Sequence, residues 1–448
     1  MSRRADAKAV VCLLLGVFLF SGLSRVNTSF DSRWTVYIAM SLWRHGTTNL
    51  DDYRPRLRTE GYYAVECVSP EGTVLRGVNE SCRGHYYNSF PVGGPVLTAP
   101  LVLALIGTLK ATAPLFAHLH PANPVIAGFL QGDFDAGHAL IEQEVASFLL
   151  AIAAVLIYFT ARMFLSVRRA VLLSILFATA TPAYSVAGRA LWQHTPSMLL
   201  LSAIILMLLQ AEKRPNLAGW AGIPVALSYT VRPTDALFVV IFTAYVAVRH
   251  REQLLRYLLF AAPIAAAFLA YNFSVYHALL SPYYRSPLDG FYPANWSRLA
   301  EALAGNLVSP SRGLFLYTPV FLFSIWSMVR CMWQTALSGW LRALAAIHWI
   351  AVSSYVVCWW AGACYGPRFF TDLTPVCVLF LIPFLAQWER LNRYTRGAFL
   401  GLAFLGLVLH LLGGWSQAVY EWNSSPMSID AHPERNWDWR DPPFLRGV

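Results

Sequence analysis

The residues of this chain that could do chemistry are few and stand out against an apolar background. Three aspartates, Asp31, Asp51 and Asp52, fall in the stretch from Arg25 to Pro95, just after the first hydrophobic segment, in a chain with only 24 Asp and Glu among 448 residues. A carboxylate placed beside an incoming hydroxyl can take its proton. Asp31 follows the first apolar segment directly and precedes a segment of helical periodicity, so it could also act as that helix's N-cap, a role that does not exclude catalysis. Asp51 and Asp52 could simply start a turn before Pro55, or, as adjacent carboxylates, help hold a divalent cation.

A second set of polar residues sits in short breaks between apolar runs: Arg189 and His194 in GRALWQHTPS, Arg232 and Asp235 in TVRPTDA, and Tyr283, Tyr284 and Arg285 in SPYYRSP. Arg312 and Tyr317 follow in VSPSRGLFLYTP, then Tyr365, Arg368 and Asp372 in WWAGACYGPRFFTDLTP. Arginine holds phosphate bidentately, so acids among Arg and Tyr at a membrane surface suit a lipid-linked phosphate substrate. Taken singly, each residue has a plainer reading. Arg and Tyr gather at membrane interfaces, Arg232 and Asp235 could neutralise each other, and His194 near a helix start could serve as a hydrogen-bonding residue.

These residues must be positioned by membrane spans. The chain is 56% hydrophobic and only 13% charged, with a mean hydropathy of +0.47. Soluble domains carry about 25% charged residues, so the composition is that of an all-α polytopic membrane protein. The net charge of +10 does not indicate nucleic acid as a partner; the Lys and Arg fall in short clusters that read as cytoplasmic loops. The basic, then apolar N-terminus lacks an A-x-A-like cleavage site and reads as a retained first span. Cys67 and Cys82 share the polar loop and can form a disulfide if it faces an oxidising compartment. No Cys/His spacing suggests zinc.

A span needs about 20 mostly apolar residues. Basic clusters at 162–169, 213–214, 249–256, 330–342 and 390–396 alternate with turns at 188–196, 231–235, 276–313 and 359–372. Eleven spans result, starting near Ala9, His138, Ala170, Leu191, Asn216, Ala236, Leu255, Leu314, Ala343, Leu373 and Gly397. The chain is then one integral domain, 1–448, with a cytoplasmic N-terminus, a long extracytoplasmic loop over 25–137 and an extracytoplasmic tail over 415–448. Val92 to Lys110 is apolar enough to span, but no Lys or Arg occurs from Ala111 to Ala161. It is therefore expected to be re-entrant or to lie at the surface. Trp34, Tyr37, Ile38 and Leu42 predict a short amphipathic helix on the outer leaflet. Sequons at Asn79, Asn295 and Asn423 fall on the same side.

The phrases FDSRWTVYIAMSLWRHG, YNSFPVGGP, LVSPSRGLFLYTPV, YGPRFFTDLTP and the tail WNSSPMSIDAHPERNWDWRDPPFLR resemble those of the GT-C superfamily of membrane glycosyltransferases. The resemblance covers nearly the whole chain and leans toward the branch of dolichyl-phosphate-mannose–protein mannosyltransferases and bacterial aminoarabinose transferases. It implies a GT-C-like bundle in the plasma (inner) membrane, a polyprenyl-phosphate sugar donor, an acceptor glycan, lipid or protein, and inverting transfer on the extracytoplasmic side. Asp31 would be the general base. The loop through Arg312 would help hold the lipid phosphate, and the polar turns described above offer Arg368, Arg232, Tyr317, Tyr365 and His194 as further donor-phosphate or substrate contacts. Two departures from the family pattern leave sugar and acceptor open: Phe30 and Ser32, not a second acid, flank Asp31, and Phe90-Pro91-Val92-Gly93-Gly94-Pro95 replaces a Lys-Pro-Pro-Leu-like element. The rival readings are a multispan lipid or solute transporter or flippase, which should carry charges near the midplane and paired halves, and a non-catalytic member of the same fold.

Overall fold

The computed structural model describes residues 3–26, 29–76, 81–120, 122–285 and 296–447. Among them, six helices are long and apolar enough to cross a membrane. Five coincide with expected spans: α1 (Arg3–Gly22), α4 (His138–Arg162), α6 (His194–Ala211), α7 (Leu254–Tyr276) and α8 (Arg393–Trp415), with α2 (Thr35–His45), α3 (Gly93–Leu119) and α5 (Val167–Thr179) between them in chain order. A seventh span results if α5 (Val167–Thr179) and the segment Pro182–Arg189, bent 44° against it, count as one. The expected eleven are thus not reproduced as full spans. The remaining segments are short or interrupted, and prolines explain several breaks: Pro224 lies in Gly222–Val231, Pro319 separates Leu314–Tyr317 from Phe321–Val329, and Pro383 opens Ile382–Ala386. Proline lacks the N–H that continues a helix.

In hydrocarbon, helices associate through close packing of small residues and through polar contacts. The α1–α4 pair follows that rule. Ala151, Ala153, Ala154 and Ala161 of α4 are buried, while Val11, Leu15 and Leu19 on the other face of α1 are exposed and suit lipid. At one end of the pair, Arg162 Nε (2.7 Å) and the Tyr158 hydroxyl (2.6 Å) donate to Asp6. At the other, Ser21 and Ser147 both donate to the Gly188 carbonyl, at 3.0 and 2.9 Å. A Cβ on Gly188 would lie 2.6 Å from both Leu150 and Ser21, so any larger residue would have to displace these two side chains.

The 25–137 region is more structured than a loop with surface helices. α2 (Thr35–His45) is buried on all sides over Thr35–Ser41, because α3 (Gly93–Leu119) lies across it. The helix is therefore enclosed by the rest of the region over this stretch. α3 runs 27 residues, past Lys110, with Pro100 and Pro114 inside it, and meets the length and composition for crossing a membrane. Its start is fixed by Gly93, where a Cβ would fall 2.4 Å from the Thr230 backbone. The region also adds a three-stranded antiparallel sheet that an all-α reading omits: β1 (Val65–Val68) lies between β2 (Val74–Arg76) and β3 (His85–Asn88). Cys67 pairs with Leu75 and Tyr86 across the ladders, and its disulfide to Cys82 spans 5.8 Å between Cα atoms.

The tail packs back on the bundle: Trp422 and Ile429 are buried with Trp359 and Trp360. Ser24 Oγ (2.5 Å) and the Arg25 (2.9 Å) and Val26 (3.1 Å) amides all donate to the Gly414 carbonyl, joining the end of α1 to the end of α8. Of the three sequons, Asn79 and Asn295 lie outside the described residues. Asn423 is buried and bonded to Arg312, which leaves it no room for a glycan.

Candidate active site

Asp31 lies in the turn between α1 and α2 and does not cap α2, whose N-cap is Trp34 with no side-chain hydrogen bond. Instead its carboxylate is held from two sides. The Tyr63 hydroxyl donates to Oδ1 at 3.0 Å, and Arg368 Nη2 forms an ion pair with Oδ2. Left-handed backbone lies near both partners. Tyr62 (φ 56°) and Ala64 (φ 54°) bracket Tyr63 in the left-handed region, and Ala361 (φ 61°), whose carbonyl accepts from Arg368 Nη1 at 3.3 Å, does the same near Arg368. Such conformations cost about 1–3 kcal/mol each and concentrate where a side chain must be aimed.

From Arg368 the contacts run inward. The guanidinium stacks over Trp192, 4.1 Å from its centroid, and Nε donates to His194 Nε2 at 3.2 Å. An accepting Nε2 leaves the proton on Nδ1, which lies 2.9 Å from Asp372 Oδ1, so the network assigns a neutral imidazole. Asp372 Oδ2 takes Arg232, whose Nη1 also lies against the His194 ring. The breaks after α5, before the 236–249 helix and before the 374–379 helix thus meet the first turn at one end of the bundle.

Asp372 is fully buried, which by itself raises a carboxyl. Arg232 and His194 outweigh that and hold it at about 2. Asp235 behaves oppositely. It does not neutralise Arg232, and neither of its oxygens has a hydrogen-bond partner among the described residues; burial first, then the charge of Asp372, push it well above the ordinary carboxylate range. At rest the Arg368 and Arg232 guanidiniums are each paired with an aspartate, Asp31 and Asp372. Such a site takes up an added anion only if an arginine changes partner.

Other anticipated residues lie elsewhere. Arg312 is buried and its donors are taken: Trp360 O (2.8 Å), Ser311 O (3.0 Å), Gly362 O (3.0 Å) and Asn423 Oδ1 (2.7 Å). Tyr317 and Tyr365 pack edge to face at 5.1 Å, their hydroxyls donating to Pro310 O (3.2 Å) and Leu409 O (2.7 Å). Asp51 and Asp52 diverge. Asp51 meets His85 Nδ1 at 2.6 Å and accepts from the Tyr86 amide at 3.1 Å, while Asp52 meets His45 Nε2 at 2.7 Å. Among the described residues no three His, Cys, Asp or Glu side chains converge. The donor set offered by Asp51 and Asp52 therefore does not fit a divalent cation.

Sequence reasoning singled out Asp31, His194, Arg232, Arg368 and Asp372 but missed Tyr63 and Trp192. Trp192 stands two residues before His194, and an aromatic that close to a candidate phosphate-binding turn is a usable signal for a stacked arginine. Tyr63 carries no such signal, since only the fold of the 54–64 segment brings it to Asp31.

No family model matches the chain, and no curated protein matches it. Among solved structures it is similar to the Archaeoglobus fulgidus oligosaccharyltransferase tethered with an acceptor peptide containing the NVT sequon, at 12% identity and a TM-score of 0.49, covering 98% of this chain and 60% of that one. It is similar in the same measure to the Archaeoglobus fulgidus oligosaccharyltransferase AglB in complex with an inhibitory peptide and a dolichol-phosphate. The chain spans about 60% of the length of these structures.

Proposed function

We propose that this protein is a membrane glycosyltransferase of the GT-C type, transferring a sugar from a polyprenyl-phosphate-linked donor to an acceptor hydroxyl with inversion. The observation that carries the reading is the ion pair between Asp31, in the turn that precedes α2, and Arg368, backed by His194, Asp372 and Arg232. The lipid phosphate takes Arg368 and frees the Asp31 carboxylate. Asp31 then accepts the acceptor's hydroxyl proton as that oxygen bonds to the anomeric carbon. The bond from that carbon to the phosphate oxygen breaks, and its electron pair leaves with polyprenyl phosphate, whose charge Arg368 balances. Asp31 returns its proton to water.

His194 and Arg232 hold Arg368 and the dry side of the site, while Arg312, Tyr317 and Tyr365 fix the neighbouring turns rather than the phosphate. The reaction face is extracytoplasmic in a plasma (inner) membrane, with the N-terminus inside and the 415–448 tail outside. Purified protein given a panel of polyprenyl-phosphate sugars should release polyprenyl phosphate, and Asp31→Asn should abolish release while keeping the wild-type melting profile. Undiminished release by a folded Asp31→Asn protein refutes the role of Asp31.

A further inference from the structure

A groove of about 420 Å³ runs between α5 and α8. Leu172 and Leu176 of α5 and Leu400, Ala403 and Phe404 of α8 form its walls, over a floor that includes buried Leu173 and Phe399. Leu172, Leu400 and Phe404 are exposed, so in a bilayer the groove opens on hydrocarbon. From Arg169 at one end to Ala180 at the other it follows roughly 16 Å of helix, about half of the ~30 Å hydrocarbon core and so the depth of one leaflet. Beyond Ala180 it is closed: a Cβ on Gly406 would lie 3.2 Å from the Ala180 carbonyl, and Ser185 Oγ meets His410 Nδ1 at 2.8 Å. A partner helix about 10 Å across would need roughly 1,200 Å³ over that length, about three times what the groove holds. The space suits a single hydrocarbon chain.

The open end is polar and basic. Arg169 pairs with Glu389, and its Nη1 donates to the Ala386 carbonyl at 3.4 Å. Arg396 Nη2 donates to the Glu389 carbonyl at 2.6 Å. Arg168, Arg390 and Arg393 are exposed neighbours of these residues in the chain, so five arginines stand against one carboxylate. Trp388 also lines the groove and packs edge-on against Phe399 at 5.7 Å, in keeping with the depth that indoles favour at a membrane interface. α8 starts at this end and finishes beside the Asp31 turn, where the Gly414 carbonyl accepts from the Arg25 and Val26 amides. The basic mouth therefore lies at the end of the bundle opposite the candidate active site.

We infer that this groove is a binding site for an anionic phospholipid of the leaflet remote from Asp31, with one acyl chain lying between α5 and α8 and the phosphate held by the arginines at the mouth. Charge complementarity selects the headgroup. Arginine holds phosphate bidentately, and a zwitterionic headgroup would bring its own cation to a cluster that already carries excess positive charge. The inference needs only that the chain lies in a bilayer and does not depend on the glycosyltransferase reading.

The test titrates the full-length protein with phosphatidylglycerol or with phosphatidylcholine of the same acyl chains, and native mass spectrometry reads the affinity for the first lipid bound. Wild type should bind phosphatidylglycerol at least tenfold more tightly. Ala403→Trp, which fills the groove, should bring that affinity down to the phosphatidylcholine level. Arg169→Gln with Arg390→Gln should lower it at least tenfold, at about fivefold per arginine beside an anionic headgroup. Leu405→Trp, on α8 but off the groove, should bind as wild type does. Equal affinity for the two lipids, or a preference untouched in folded Ala403→Trp, overturns the assignment. If Ala403→Trp does not fold, the double arginine variant decides, and a retained preference there overturns it equally. Displacement of phosphatidylglycerol by equimolar polyprenyl phosphate would make the occupant a polyprenyl lipid, and a dimer lost in Ala403→Trp with no change in lipid binding would make it a second copy of the chain; either result refutes the phospholipid.

Discussion

Asp31 and Arg368 form an ion pair in the resting protein, so in the proposed mechanism the strength of Asp31 as a base depends on where Arg368 points. Arginine suits this exchange because one planar fork can serve the Asp31 carboxylate, the Ala361 carbonyl and His194 together. Lysine keeps the charge but not the fork. Arg368→Lys should therefore lower the rate of polyprenyl phosphate release by about 10²-fold, with the folded fraction unchanged in size-exclusion profiles. Asp372 has a different task. Its removal strands Arg232 in a buried setting, and loss of one partner of a buried pair costs about 3–5 kcal/mol, so Asp372→Asn should show a lowered melting temperature as well as lost activity. The pH dependence follows from the same pair. The Asp372 carboxyl lies at about 2 in the fold against an ordinary 3.8, a depressed value, so its stabilisation is complete above about pH 4 and is lost as pH falls toward 2. Melting curves of the wild type should drop across that window, and those of Asp372→Asn should drop less.

Elements were unevenly legible in the sequence. Helix starts near His138, Leu255 and Gly397 follow from apolar length and basic punctuation, and the structure begins helices at His138, Leu254 and Arg393. The breaks in the 216–231, 314–329 and 374–386 segments are harder to read, because composition averages over a proline that splits a helix. The sheet was hidden for another reason: its strands are three or four residues long, too short for a two-residue alternation to stand out. Its stability depends on the Cys67–Cys82 link, which closes a separation of 15 residues, and a loop of that size gains about 3 kcal/mol from its disulfide. Reduction, or Cys67→Ser with Cys82→Ser, should expose the 69–84 segment to protease well before the helices, with cleavage read by mass spectrometry. Because Tyr63 lies two residues before β1, the same treatment should also reduce turnover.

For the whole molecule, an extracytoplasmic reaction face fixes which end of each helix lies outside. α6 begins at His194 in the candidate site and ends near Lys213 at the opposite end of the bundle, whereas the 415–448 tail packs at the site end. With Cys331 replaced, a membrane-impermeant maleimide should label Glu434→Cys in intact cells and label Lys213→Cys only after permeabilisation; the reverse pattern inverts the topology. Sequence reasoning brought the polar turns to one face because basic clusters alternate with them. It could not rank the arginines, since Arg312 and Arg368 sit in equally suggestive phrases and differ only in what surrounds their guanidinium groups once folded.

The Asp31–Arg368 pair joins residues 337 positions apart in the chain. A ribosome delivers the acid early and its arginine partner only after most of the helices have entered the bilayer. On the mechanism proposed above, unfinished chains carry the base without the group that receives the lipid phosphate, so a partly made protein should be inert toward the donor, with competence arriving at a single late step of synthesis.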